Sequence, residues 1–287
     1  MPASTIVVPS YGRPEALRAC LAALAAQDDP DREVVVVDDG SPEPLASVCE
    51  AFEGVRCIRQ ENAGPARARN RGAREAEGDF LAFTDDDCRP RPDWLSALRR
   101  AWDGEERRMV GGRVVNGLPG NPYASASQAL CDYLYDYYGA AEGEAPFFTT
   151  NNCGVSREGF HRLGGFDETF PLAAAEDRDL GMRWRDEGGS LAYAPDAVVD
   201  HHHALTLRRF LRQHANYGRG ARHLHLVLDG RGAEQPKVEP PRFYAGLLLW
   251  PLRRRGLAGL GGTVLMGLSQ VAMVRGYAAA RAEERSG

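Results

Sequence analysis

Three consecutive carboxylates, Asp85-Asp86-Asp87, follow the apolar run Phe80-Leu81-Ala82-Phe83 in a chain of 287 residues. Like charges crowded at the end of a strand repel one another unless a cation neutralises them. Alternate members of the triplet, Asp85 and Asp87, offer hard oxygen ligands of the kind that hold Mg2+ or Mn2+, with substrate phosphates and water in the remaining positions. A solvated acidic turn is the competing reading of the triplet taken alone. A second acidic cluster, Glu176, Asp177 and Asp179, opens a helical stretch that runs through Trp184. The helix dipole by itself favours acids there. His201-His202-His203 lies 24 residues beyond Asp177, and a strand would send His201 and His203 to the same face.

These groups need elements to position them. Thr5 to Pro9 reads as a buried strand, and Pro14 opens a helix in which Leu17, Leu21 and Leu24 recur at helical spacing. The run Val34 to Val37 ends in the turn signal Asp38-Asp39-Gly40-Ser41, and residues 44–52 read as a helix. Val55 to Ile58 is a third run, residues 65–77 form an Ala/Arg-rich helix, and Phe80 to Phe83 is a fourth run. Four apolar runs alternating with helices imply a parallel, doubly wound sheet, whose ligands bind beyond the carboxyl ends of the strands. The polar clusters Ser10 to Arg13, Asp38 to Ser41 and Asp85 to Asp87 are therefore expected around one cleft. Farther along, a helix is expected near Trp94 to Trp102, a strand over Met109 to Val115, and an aromatic-rich helix over Ala124 to Tyr138.

Charge is unevenly divided. Residues 1–204 carry 21 basic and 35 acidic side chains, net -14, whereas residues 205–287 carry 14 and 5, net +9. The acidic front disfavours nucleic acid as a partner. Six cysteines without a CxxC pair read as buried free thiols in a reducing cytoplasm, and the N-terminus shows no secretory signal.

The segments VVPSYGR (Val7 to Arg13), VVVDDGS (Val35 to Ser41), GPARARNRGAREAEGDFLAFTDDD (Gly64 to Asp87), GGFDE (Gly164 to Glu168) and EDRDLGMRW (Glu176 to Trp184) occur in that order. Together they resemble glycosyltransferase family 2 over about residues 5–205. The resemblance implies a GT-A fold, which is α/β with a Rossmann-like, doubly wound, mostly parallel sheet. It also implies transfer of a sugar from a nucleotide diphosphate sugar, UDP-linked being the commonest, to an acceptor hydroxyl with inversion. Carried over by motif, Pro9, Ser10, Tyr11 and Arg13 line the base pocket, and Asp39 accepts a hydrogen bond from the base beside Asp38. Arg69 and Arg71 flank Asn70, with an Arg facing phosphate and Asn70 tying the loop. Asp85 and Asp86 fall on the nucleotide side. Asp87, with Asp85, holds Mn2+ or Mg2+, and His201 or His203 completes the set. Asn151, Asn152, Gly164, Gly165 and Trp184 fall on the acceptor side. A diphosphate leaving group gains charge as its bond breaks, and the acceptor hydroxyl needs a general base on the opposite face. Asp177 is assigned that role, with Glu176 as the alternative.

Processive members of the family carry a QxxRW segment. Here Leu180 stands three residues before Arg183-Trp184, so a single addition is expected, in cell-surface or lipid-linked glycan synthesis. Residues 1–204 are assigned to a catalytic domain, with the nucleotide-sugar half over about 1–90 and the acceptor half over about 91–204. Residues 205–287 form a basic helical region, with residues 229–242 as the linker. Gly256 to Val274 carries no charge, and Arg253-Arg254-Arg255 precedes it. An interfacial membrane helix, a span and a soluble hairpin compete for this tail, and the basic clusters favour a peripheral place on the cytoplasmic membrane face. The acceptor is a glycan, a lipid-linked or a small molecule, and a homo-oligomer stays open. A nucleotidyltransferase that makes the sugar nucleotide is the alternative enzyme, although VVPSYGRPE offers a single Gly where that class needs a Gly-rich loop. A non-catalytic assembly protein on the same scaffold is the alternative outside enzymes.

Overall fold

The computed structural model describes residues 3–140 and 147–286. In chain order its elements are β1 (Ser4–Ser10), α1 (Pro14–Ala25), β2 (Arg32–Asp38), α2 (Ala46–Cys49), β3 (Val55–Arg59), α3 (Pro65–Arg74) and β4 (Phe80–Phe83). There follow β5 (Cys88–Pro90), α4 (Trp94–Trp102), β6 (Arg108–Asn116), α5 (Pro122–Tyr137), β7 (Cys153–Ser156), α6 (Arg157–Arg162), α7 (Glu176–Asp186), β8 (Ser190–His201), α8 (Leu207–Arg231), α9 (Pro241–Arg255) and α10 (Leu260–Ser286). Two compact units result. The first is Met1–Gly117, Ala140–Pro171 and Asp177–His202; the second is Leu118–Gly139, Leu172–Glu176 and His203–Gly287.

All eight strands belong to one sheet of the first unit, in the order β3-β2-β1-β4-β7-β6-β8-β5. β1, β2, β3 and β4 pair in parallel, as the four apolar runs predict. β7 then enters antiparallel between β4 and β6, β6 and β8 pair in parallel again, and β5 pairs antiparallel with β8, so the sheet is mixed beyond β4. The expected helix over 44–52 shrinks to α2, a single turn. β1 is buried along its whole length. Its even residues Ile6 and Val8 join Leu17, Leu21 and Leu24 of α1 and Trp94 and Leu98 of α4 in one core. The odd residues Val35 and Val37 of β2 pack on Ala68 of α3. A strand covered on both faces has no polar face to present, which is why these runs read as continuous Val and Ile rather than as alternation.

The second unit is helical. α5, which the sequence assigns to the acidic front, packs with the C-terminal helices: the Tyr133 hydroxyl donates to the Phe243 carbonyl at 2.7 Å, and its ring meets Phe243 and Trp250. α8 continues to Arg231, beyond the start of the expected linker. α8 and α10 approach closely through glycines, because a Cβ on Gly218 would fall 1.9 Å from the Met273 carbonyl oxygen and one on Gly276 1.9 Å from that of Ala215. Arg219 and Arg222 of α8 pair with Glu283 and Glu284 of α10. None of the six cysteines is in a disulfide, with Cys57 and Cys131 half-buried and the rest buried.

His214 of α8 is wholly buried, its ring 4.4 Å from that of Phe210, and neither ring nitrogen meets a hydrogen-bonding group among the described residues. Burial, reinforced by the charge of His203, pushes its pKa down to about 4. An unfolded His titrates near ~6.5, so below that pH the unfolded chain binds a proton that the folded chain refuses. The stability is therefore whole above ~6.5 and drains as pH falls toward 4, by about 3 kcal/mol in all. Thermal melts from pH 7 to 4.5 are expected to show this loss, and His214→Leu to flatten it.

Candidate active site

The parallel register sets the carboxyl ends of β1, β2 and β4 at one edge, with Ser10 level with Asp38 and Val7 level with Phe83. The acidic triplet begins one residue past β4, after Thr84, and its three side chains diverge. Asp86 turns inward, fully buried, accepting from the Ser10 hydroxyl at 2.6 Å and pairing with the Arg13 guanidinium. Burial pushes its carboxyl up to about 7, against the pull of Arg13. Asp86 therefore anchors the β1 and β4 loops to each other and does not face a nucleotide, which corrects its assignment to the nucleotide side. Asp85 and Asp87 keep outward exposure, as alternate positions must. Protein cations also neutralise the triplet: Arg13 reaches Asp87 at 2.7 Å and Arg69 reaches Asp85 at 2.8 Å. The repulsion inferred from sequence is thus met in part by two arginines, and the argument for a metal has to rest on geometry.

That geometry comes from β5, a strand of three residues with no sequence signal. Its pairing with β8 sets Cys88 opposite His201, while the His202 amide donates to the Asp87 carbonyl at 2.8 Å. His201 Nε2 then lies 3.4 Å from Asp87 Oδ1. Burial works against a charged His201, but the Asp87 carboxylate outweighs it and holds the imidazole above its ordinary range. Ligand atoms of Asp87, Cys88 and His201 all fall within 4.8 Å of one another. The Cys88 thiol is buried and pushed far up, so carboxylate oxygen and imidazole nitrogen are the donors at hand. That set fits Mn2+ better than Mg2+, which prefers oxygen alone. β8 ends at His201, so the shared strand face expected for His201 and His203 does not form, and His203 falls in the other unit.

Arg69 connects this cluster to Asp177. α3 carries Arg69 on a buried face, paired with Asp85 and stacked 5.8 Å from the Phe166 ring centroid. Asp177, half-buried, accepts from the Arg178 amide at 2.8 Å. Burial raises its pKa, and the charges of Arg178 and Arg69 hold the rise in check. Two residues before Asp177, Ala175 takes a left-handed φ of 73°, a conformation costly for a residue with a Cβ. Glu176 is buried and is counted with the second unit.

Other expected residues turn out to hold the frame. Asp38 accepts from the Ser41 and Leu45 amides and from Arg59 at 2.7 Å, so it builds the turn after β2. Asp39 accepts at Oδ1 from Gln60 and the Ala63 amide and at Oδ2 from the Gly64 amide, each within 2.9 Å. Oδ2 thus retains acceptor capacity. Pro9 lies inside the sheet opposite Val37, whereas Tyr11 is 51% exposed. Arg71 pairs with Glu75 along its own helix, on a different side of α3 from Arg69.

On the GGFDE side, Asn70 ties the loop as its motif implies, donating to the Phe166 carbonyl at 2.8 Å and accepting from the Phe166 amide at 2.9 Å. Gly165 permits this approach, since a Cβ there would sit 2.5 Å from Asn70 Oδ1 at a φ of 74°. Gly164, at a φ of 83°, turns the chain beside it. Arg183, which sequence reasoning left without a role, donates to the Leu163 and Gly165 carbonyls and to Asp179 at 2.7 Å. Its spacing of four from Asp179 was the available signal. Trp184 is a buried brace whose indole N–H donates to the Arg107 carbonyl at 2.9 Å, two helical turns beyond Asp177. It is not placed to meet an acceptor. Asn151 is buried, with its backbone carbonyl accepting from Thr84. Asn152 is a framework residue too: Trp94 donates to its Oδ1 at 2.8 Å, and its Nδ2 donates to the Arg113 and Ala197 carbonyls. Asn152→Ala is expected to cost about 3 kcal/mol in a urea titration, because three buried partners lose their mates, with little change in kcat/KM of the folded protein.

Residues 5–164 match the family model described as Glycosyl transferase family 2. The chain belongs to glycosyl transferase family 2. Within the family it is 31% identical over 272 residues to the pre-mycofactocin glycosyltransferase of Mycobacterium tuberculosis, an alignment covering 90% of this chain and 53% of that protein. The family 2 chain spans about half the length of the curated relatives it matches. Among solved structures it resembles the mannosyltransferase PcManGT of Pyrobaculum calidifontis, in complex with GDP-Man and Mn2+, with a TM-score of 0.61 and 22% identity over 99% of this chain and 80% of that one. It also resembles GalNAc-T7 with UDP, GalNAc and Mn2+, with a TM-score of 0.58 and 15% identity over 94% of this chain and 55% of that one. These likenesses establish the GT-A fold for the family 2 domain.

Proposed function

We propose that this chain transfers a glycosyl group from a nucleoside diphosphate sugar to an acceptor hydroxyl, with inversion at the anomeric carbon. The observation that carries the reading is Arg69, buried between Asp85 and the influence of Asp177, beside the Asp87–His201 pair. Asp87 and His201, with Asp85 beside them, are the residues that would hold a divalent cation, Mn2+ in preference to Mg2+. A bound cation would supply Lewis acidity toward the diphosphate leaving group. Asp39, through Oδ2, accepts from the base, and Tyr11 offers an exposed ring beside it. Arg69 presents positive charge to phosphate while holding Asp85 in place. Asp177 takes the proton of the acceptor hydroxyl as the new glycosidic bond forms on the face opposite the leaving group. A base with a raised pKa is better matched to that task than an ordinary aspartate.

Two relatives solved with nucleotides and Mn2+ support a nucleotide-sugar donor, one carrying GDP-Man and the other UDP. UDP-sugars are the first donors to assay, and the acceptors to assay are glycans, lipid-linked intermediates and small molecules. The absence of Gln at position 180 favours a single addition. The test incubates the protein with Mn2+ and a panel of UDP-, GDP- and dTDP-sugars and follows release of nucleoside diphosphate with and without acceptor extract. Release with one donor, and a product of inverted anomeric configuration by NMR, is the expected result. No release with any donor overturns the reading.

A further inference from the structure

We propose that α10 docks the chain on an anionic lipid surface through the row Leu260, Val264, Leu268 and Val271. These residues recur at spacings of four, four and three, which places them on one face of the helix. They are 53%, 62%, 40% and 55% exposed, while Met266, Ser269 and Ala272 are buried in the unit, Met266 in one cluster with Tyr133 of α5 and Leu247 of α9. Leu257, 83% exposed in the turn before α10, extends the row toward α9. Single exposed apolar residues are ordinary on a protein surface; a row of four on one helix edge, extended by Leu257, is not.

Charge identifies the occupant. Residues 241–282 contain Arg242, Arg253, Arg254, Arg255, Arg275 and Arg281 and not one Asp or Glu. Arg253 to Arg255 stand at one end of the row, and Arg275 continues it at the other, four residues beyond Val271. Arg254 stacks 4.6 Å over Trp250, and Tyr244 and Leu249 of α9 are also exposed. The acids at the far end of α10, Glu283 and Glu284, are already paired with Arg219 and Arg222. An apolar row about 16 Å long with arginines at both ends matches a helix lying in the plane of a membrane, its apolar edge among acyl chains and its guanidiniums at phosphate level. A second copy related by a two-fold axis would set arginine against arginine, so the row favours lipid over self-association.

Length and composition alone would also let Pro241–Arg285 cross a membrane. Gly256, with φ 56° and ψ -143°, breaks it into α9 and α10, and the buried Met266, Ser269 and Ala272 hold α10 against its own unit, which favours an in-plane placement. The docking stands apart from the sugar-transfer reading and survives its failure.

The test sediments the full chain with phosphatidylcholine vesicles and with vesicles in which a third of the lipid is phosphatidylglycerol. Binding to the anionic vesicles, weakened by high salt and released by alkaline carbonate, is the expected result. Val264→Asp with Leu268→Asp is expected to cut the bound fraction more than about tenfold, and Arg253→Gln, Arg254→Gln and Arg255→Gln about fivefold for each residue changed. All variants alter exposed positions, and circular dichroism checks that they fold. Binding to neither vesicle, equal binding by the Val264→Asp/Leu268→Asp protein, or resistance to carbonate extraction would each overturn the proposal. A dimer in light scattering that dissociates in that variant would overturn it in favour of a second copy.

Discussion

Asp87→Asn is expected to lower kcat/KM about a thousandfold at moderate Mn2+, with weakened Mn2+ binding seen by EPR titration. The amide keeps the size of the carboxylate and removes the anionic oxygen that faces His201 Nε2 at 3.4 Å. Folding should be little affected, because Arg13 is half-exposed and retains Asp86 as a partner. Asp86→Asn provides the contrast. That side chain is fully buried against Ser10 and Arg13 and faces no ligand, so Mn2+ affinity should stay near that of the parent protein. Equal loss of Mn2+ binding in both variants would mean that the triplet acts as a diffuse charge, and the assignment of Asp87 as a ligand would fall.

Asp177→Asn is expected to lower kcat by about 100- to 10,000-fold while leaving the affinity for nucleoside diphosphate nearly unchanged. The amide cannot take the acceptor proton, and it reaches neither the Asp87–His201 pair nor the Asp39 loop by any hydrogen bond seen for Asp177. Stability should hold or rise slightly at neutral pH, because burial already disfavours the charged carboxylate at this position. The pH profile supplies an independent check. A base must be ionised to act, and burial raises this one, so activity in the parent protein should fall with decreasing pH at a value above that of an ordinary aspartate. A variant with unchanged kcat would remove Asp177 from the base role and leave Glu176 as the candidate.

Much of the frame was legible before any coordinates. The runs Thr5 to Pro9, Val34 to Val37, Val55 to Ile58 and Phe80 to Phe83 could be read as parallel strands because they are short, mostly apolar and separated by helical periodicity. Pro14 and Pro65 marked helix starts, since proline at the first turn gives up only an amide with no intrahelical partner. The switch to antiparallel pairing at β7 was not legible, because a strand of four residues carries too little pattern to reveal its direction. The neighbours of α5 were not legible for a similar reason. Its tyrosines are apolar on more than one side, and periodicity identifies a helix without naming the surface that covers it.

Residue types and spacing by themselves determined the doubly wound half of the sheet, the edge on which the polar loops gather, and the carboxylates able to hold a cation, while the phosphate-facing arginines came only with the resemblance to family 2. The former follow from local rules: burial periodicity, turn chemistry and the ligand preferences of oxygen and nitrogen. Only the tertiary structure decided where each member of an adjacent pair points. Asp86 went inward while Asp87 met His201; Asp38 built a turn while Asp39 kept an acceptor; Asn152 became a buried brace; and Arg69 was separated from Arg71 by the turn of one helix. Neighbours in sequence point in different directions, and the partners of Asp85, Asp87 and Arg69 lie 16 to 114 residues away, a separation at which no local pattern carries information.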